Sequence, residues 1–376
     1  MEPARKKAVT SFDVARRARV SRATVSFVLN EVAHEKISTR TRERVLKAAR
    51  ELGYVPHAAG KALARRKTEN IALVYTRTYH HLASHSIMLR LIDGLMQVVH
   101  DHNLHLMIDA VEEGTSGTNL LKLARASHID GLIMLEPRTD DEQLLALAAD
   151  RFPVVLVGSL PGTNLCSIDI DNAEAARLAV EHLIALGHRE IACITNAPAH
   201  FTAAAARLAG YQRALRSHDI PARPSFLQHG NFNPESGRQA MQALLAGQSL
   251  PTAVFVASDA VAFGALRAIA EAGLQVPKDI AVFGFDNVVD SLYSRPPLST
   301  VSFPVEHHGR RSGEILFELM NGKLSPPYHE LTPFEIILRE SSGGSRSGSP
   351  GGSPDPARHL ASSSNWKDKQ SKEVLP

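Results

Sequence analysis

Cysteine is almost absent: Cys166 and Cys193 are the only two in 376 residues. Two thiols do not make a disulfide framework, so both read as small buried apolar groups in a reducing compartment. No apolar run reaches the roughly 18 to 20 residues that span a bilayer. The N-terminus has no apolar signal-peptide core. The expected location is therefore cytoplasmic, without membrane attachment. Aromatic residues are sparse at 5%, with one tryptophan, Trp366. Catalytic signatures are missing too: there is no phosphate-binding glycine loop, Gly-x-Ser-x-Gly elbow or metal quartet. His80, His81 and His85 have no recognised metal spacing. No enzymatic activity, cofactor or metal is expected.

What is present begins with charge. The chain holds 42 Lys+Arg and 39 Asp+Glu, a net of +3. The first 67 residues carry 17 against 6, which leaves 25 against 33 for the rest. A basic head on an acidic body fits a phosphate-binding module joined to something that stays off nucleic acid.

The head has a helical pattern. Val9 to Asn30 reads as two short helices with a tight turn between them, the arrangement that sets a helix into the DNA major groove. Thr10 caps the first helix with Asp13 three residues on, and Val14, Ala15 and Ala18 share one face. Ser21 caps the second, whose buried stripe is Val25, Val28 and Leu29. Arg22, Ala23, Ser26 and Phe27 are left outward. A third helix from about Ser38 turns Val45, Ala48, Ala49 and Leu52 inward and stops at Gly53. The residues to Lys67 form a basic linker weakened as a helix by Gly60.

From Asn70 the period changes. Strand-length apolar runs (71–75, 104–108, 131–135, 153–157, then 191–194, 252–257, 280–285) alternate with helical segments, including 87–100, 202–218, 234–247 and 260–273. That rhythm predicts parallel sheets covered on both faces. Its restart near Ser167 predicts two similar doubly wound α/β subdomains, with a cleft at the carboxyl ends of their strands. Asp169 and Asp171 read as a strand end and a helix cap rather than an acid pair. From Ser341 the chain is rich in Ser, Gly and Pro, and 342–376 is expected to be a disordered tail.

Several motifs occur in order: Asp13-Val-Ala, Val20-Ser-Arg-Ala-Thr-Val-Ser26, Val28-Leu-Asn30, Thr41-Arg-Glu-Arg-Val45, Leu52-Gly-Tyr-Val-Pro56, Ala62-Leu-Ala64, His182-Leu-Ile-Ala-Leu-Gly-His188, Arg207-Leu-Ala-Gly-Tyr211, Val282-Phe-Gly-Phe-Asp-Asn287 and Pro297-Leu-Ser-Thr-Val301. In this ordered set the chain resembles the LacI/GalR transcription regulators from about Val9 to Ser341. The resemblance implies a helix-turn-helix head (1–56), a hinge (57–68) and a periplasmic-binding-protein-like effector and dimerisation core (69–341). The core divides into 69–166 with 303–332, and 167–302 with 333–341. It implies a homodimer, in the role of a repressor, on a palindromic double-stranded DNA operator, governed by a sugar-like or nucleoside-like effector. Arg22, Ala23 and Phe27 match base-facing positions, and Ser26, Asn30 and Tyr54 match phosphate contacts. Leu63 matches the leucine that wedges into the minor groove; its plainer role is a linker residue packing on its dimer mate. In the cleft the matching residues are Thr76, Arg207, Phe232, Ser258 and Asp286. Arg207 and Asp286 suit adjacent hydroxyls, or form a structural ion pair.

The chain departs from that pattern in places. Arg19 replaces a usual turn glycine, which implies a looser turn or an added phosphate contact. Phe27 stands where arginine is commonest, and phenylalanine offers a base edge only apolar contact. Gly158 stands where some sugar-binding members carry an acid. An effector-independent dimeric regulator and, further off, a solute-binding protein are the alternatives.

Overall fold

The computed structural model describes residues 9–30, 37–55, 67–76, 86–111 and 120–343. The head contains α1 (Ser11–Ala18), α2 (Arg22–Leu29) and α3 (Thr39–Leu52). Their ends follow the local chemistry. The Asp13 carboxylate accepts from the Thr10 amide at 3.0 Å and hydroxyl at 2.7 Å. Ser21 Oγ accepts from the Thr24 amide at 3.1 Å, and Ser38 Oγ from the Thr41 amide at 3.3 Å. Gly53 ends α3 at φ +63°, a left-handed geometry that glycine adopts without a Cβ penalty.

The α1–α2 turn corrects one expectation. Arg19 itself takes the left-handed conformation, at φ +54°, and the Val20 amide closes onto Ala15 O at 3.1 Å. The turn therefore stays tight, at a cost of about 1 kcal/mol for a residue with a Cβ.

The first core sheet runs β2-β1-β3-β4-β5-β11, all parallel. Its strands are β1 (Asn70–Thr76), β2 (His105–Val111), β3 (Gly131–Leu135), β4 (Val154–Val157), β5 (Cys166–Asp169) and β11 (His329–Leu331). The helices between its first strands are α4 (Ser86–Asp101), α5 (Leu120–Arg125) and α6 (Glu142–Ala149). The second sheet is β7-β6-β8-β9, also parallel, from β6 (Ile191–Thr195), β7 (Leu227–His229), β8 (Ala253–Val256) and β9 (Ala281–Phe283). Its long helices are α7 (Asn172–Ala185), α8 (Thr202–Ser217), α9 (Pro234–Leu245) and α10 (Asp259–Glu271). After them come α11 (Asp290–Tyr293), β10 (Thr300–Ser302) and α12 (Val305–Met320), while β12 (Glu335–Ile337) pairs with β10. Each core sheet carries an aliphatic cluster on both faces, which is why strands such as 131–135 and 191–195 are buried at every position.

The chain crosses between sheets three times, after Asp169, after Ser302 and after Leu331. The first sheet thus extends through Asp169, three residues past the expected boundary at 166. Helices α9 and α10 meet backbone to backbone. A Cβ on Gly264 would lie 1.7 Å from Pro234 O, and one on Gly237 1.9 Å from Val261 O, so only glycine permits this approach.

The start expected for the tail is instead packed into the core. Ser341 and Ser342 are fully buried. Ser341 Oγ donates to Val282 O at 2.7 Å and accepts from the Ser299 amide at 2.8 Å. A hydroxyl with both roles satisfied is as admissible in a core as an apolar group. Residues 344–376, including Trp366, lie outside the described residues. Among the described residues no helix is long and apolar enough to cross a membrane, and both cysteines are buried and free.

Candidate nucleic-acid interface and core cleft

Eight small aliphatic residues close the head: Val14, Ala15, Ala18, Val25, Val28, Val45, Ala48 and Ala49. They draw one face of each helix inward and leave the N-terminal end of α2 outward. Arg22 and Ala23 are exposed there, and Ser26 and Phe27 are half-buried. Asn30 is buried, and its amide donates to Ser26 Oγ at 3.0 Å. Tyr54 is half-buried against the head cluster. Leu63 lies outside the described residues, as does the rest of 56–66, which holds most of the expected hinge. Sequence reading passed over Phe12, an aromatic ring 59% exposed on α1. Its signal was its position, off the stripe formed by Val14, Ala15 and Ala18.

The second site lies between the two core sheets. A cavity of about 90 Å³ is walled by the residues that follow the strands of both sheets: Glu136 after β3, Gly158 after β4, Asp169 at the end of β5, Asn196 after β6, Ser258 after β8 and Asp286 after β9. Ligand sites usually measure roughly 300–1,000 Å³, so the space between the sheets is narrow for a sugar-sized molecule. Its lip is zipped across the sheets. Arg138 and Phe201 form an isolated antiparallel bridge, and the Thr139 amide donates to His200 O at 2.9 Å.

Arg207 is the polar centre of the cleft. It is 7% exposed. Its Nε donates to Asn172 Oδ1 at 2.9 Å, and its Nη1 to Ala257 O at 2.7 Å and Asp286 Oδ1 at 3.4 Å. The guanidinium lies 3.6 Å from the Phe285 ring centroid, a cation–π placement. The ion pair anticipated as one alternative is therefore present, and both partners also line the cavity. Asp286 is held at φ +112°, with its amide bonded to Val301 O at 2.9 Å. A non-glycine residue there is strained.

Phe232 is buried at φ +58°, edge-on to Phe201 with centroids 5.0 Å apart. Ser258 caps α10 without a side-chain cap bond. Thr76 ends β1 at the same edge; residues 77–85, with His80, His81 and His85, lie outside the described residues. Gly158 has a steric reason, since a Cβ there would meet Pro137 Cδ at 2.7 Å.

Several groups were not singled out from the sequence. Asp259 is fully buried and accepts from Ser291 Oγ at 2.5 Å, Thr300 Oγ1 at 2.7 Å and the Val288 amide at 3.1 Å. Burial, with Asp286 nearby, pushes its carboxyl up to about 7. It ties the Asp286 loop to the start of α10. His308 faces the cavity, with Nε2 2.6 Å from Thr332 Oγ1. Burial pushes its imidazole down to about 4, so it is neutral. Asp169 ends β5 and Asp171 caps α7 through the Glu174 amide at 2.8 Å, as read from the sequence. Asp169 also lines the cavity, where burial pushes its carboxyl up to about 6. Asn196 is 4% exposed, and its Oδ1 has no hydrogen-bond partner. An unsatisfied buried acceptor costs about 1–3 kcal/mol.

A helix-turn-helix head on a two-sheet, cleft-forming core defines a DNA-binding regulator with a binding-protein-like core. The comparisons agree. Residues 12–57 match the model of bacterial regulatory proteins of the lacI family, and residues 180–342 match a periplasmic binding protein-like domain. The chain is 34% identical over 336 residues to the HTH-type transcriptional repressor CytR of Escherichia coli K12, covering 89% of this chain and 96% of CytR. It is similar in structure to the lac repressor dimer bound to operator and the anti-inducer ONPF, with a TM-score of 0.74 and 32% identity over 89% of this chain and 99% of that one. It is also similar to a CelR–cellobiose complex, with a TM-score of 0.69 and 31% identity over the same shares of the two chains. The chain belongs to the lacI family and is a DNA-binding transcription regulator.

Proposed function

We propose that this regulator is a cytoplasmic homodimer that represses from a palindromic operator and is governed by a sugar-like or nucleoside-like effector held between the core sheets. In this reading residues 1–56 form the DNA-binding head, 57–68 the hinge and 69–341 the effector and dimerisation core. Arg22, Ala23 and Phe27 meet base edges in the major groove. Ser26, Asn30 and Tyr54 lie along the phosphates, and Leu63 wedges the minor groove at the dyad. Thr76, Arg207, Phe232, Ser258 and Asp286 hold the effector. A CelR complex contains cellobiose, and a lac repressor dimer complex contains operator and ONPF, which supports both halves of the reading.

The observation that carries it is the buried Arg207–Asp286 pair on the wall of a closed cavity at the carboxyl ends of both sheets. A ligand that binds the open and closed clefts unequally changes the spacing of two heads and with it DNA affinity. Selecting bound duplexes from a random pool tests the DNA half: a two-fold symmetric site is expected, and an asymmetric or absent preference would refute the dimeric operator. Effectors are then screened on that site. If no sugar or nucleoside changes affinity for it, the effector-independent regulator stands instead.

A further inference from the structure

The cleft contains more acceptors than its Arg207–Asp286 pair uses. Among the described lining residues, Glu136, Asp169 and Asp286 are acidic and Arg207 is the one Lys or Arg. Arg207 already serves Asp286, Asn172 and Ala257. Asp169 lies on the first-sheet wall, where its carboxylate accepts from the Ile170 amide at 2.8 Å, from Asn172 Nδ2 at 2.9 Å and from the Ser159 side chain, and feels the Arg207 charge. It keeps part of its surface, and that surface is cavity wall. Asn196 lies on the opposite wall, after β6, and its Oδ1 is the buried acceptor without a partner. A pocket that buries an unmet acceptor and a poorly solvated carboxylate favours a ligand with hydrogen-bond donors and opposes one with negative charge.

We propose that Asp169 and Asn196 form a second polar anchor across the cleft, which takes donor groups of an uncharged, hydroxyl- or NH-bearing effector and rejects its carboxylate or phosphate counterpart. The inference rests on reading the cleft as an effector site. One anchor belongs to each sheet, so a ligand that serves both also holds the cleft shut. The raised Asp169 carboxyl fits this role, since its charge in the empty cleft is desolvated more than it is compensated.

The test uses the full chain and matched probe pairs: cellobiose with cellobionate, glucose with glucuronate, and each ribonucleoside with its 5′-monophosphate. Calorimetry and thermal shift read the binding. At least one neutral probe is expected to bind, with its acidic partner weaker by about tenfold or more. Asp169→Asn should narrow that gap to about threefold or less. Asn196→Ala should weaken the neutral probe by about tenfold while leaving the melting point of the empty protein unchanged or raised, because it removes an unmet acceptor. A merely structural asparagine would instead lower that melting point and spare the probe. If neutral and acidic partners bind alike, or the Asp169→Asn gap equals that of the parent, this anchor is refuted while the effector reading stands. If no probe of either kind binds, both fail together.

Discussion

The head closes on eight small aliphatic residues and keeps most of its polar chemistry outside, where Arg22 is exposed, with Asn30 as a buried exception. The core does the reverse. Arg207, Asp259, Asp286 and His308 are each at most 9% exposed, and the cleft is built from groups that water would otherwise solvate. Outward chemistry needs only a helix of the right period and a cap. Inward chemistry needs each polar group to meet a partner contributed from elsewhere in the chain. The head can therefore tolerate changes in its outward residues as changes in what it reads, whereas the core must answer for each polar change in stability.

Four substitutions probe that contrast. The largest effect is expected from Arg207→Ala, which leaves Asp286 buried beside a void. The core should lose about 3–5 kcal/mol on chemical denaturation. A loss below about 1 kcal/mol, the range of surface pairs, would place the pair in water and erase the distinction. Arg22→Ala comes next. It should cost about 1–3 kcal/mol in binding to the selected operator, without moving the melting point. Equal losses on specific and random duplexes would assign Arg22 to the phosphates.

Asp259 sharpens the comparison through pH. Its carboxyl stands at about 7 in the fold against 3.8 ordinarily. The stability this shift lends is fully present below pH 3.8 and is lost as pH rises through about 7. Measured against Asp259→Asn, the parent should lose stability from about pH 4 to 7, by no more than about 1.4 kcal/mol per pH unit. Parallel curves for the two proteins would remove the buried-acid assignment. The smallest effect belongs to the head. Arg19→Gly relieves a left-handed φ and should stabilise the isolated turn by up to about 1 kcal/mol; a destabilised head would mean that Arg19 contributes a contact of its own.

The same division governs what could be read in the sequence. Caps at Ser21 and Gly53, and the stripe Val14, Ala15, Ala18, are local signals, and the head follows them. The apolar strands and their helical spacers were equally plain. Local signals failed where pairing is distant. Ser341 and Ser342 look like the start of a polar tail, yet they bond Val282 and Ser299, roughly forty to sixty residues back in the chain. Asp259 looks like one more helix-opening acid; its burial depends on Ser291 and Thr300. Asp169 was legible as a strand end, but its place in the cavity required the crossover that brings α8 and Arg207 to the same cavity. Arg19 is the instructive local case, since the turn geometry was kept by straining the residue rather than by changing the turn.

In the proposed function the exposed head and the buried cleft are coupled. The most direct test of this coupling is a reciprocal titration on the selected operator. DNA affinity is measured with and without a saturating neutral probe found to bind, and affinity for that probe is measured with and without operator. Coupling requires that both change by the same factor, on the order of 5- to 150-fold. A probe that binds tightly yet leaves DNA affinity unchanged would contradict it.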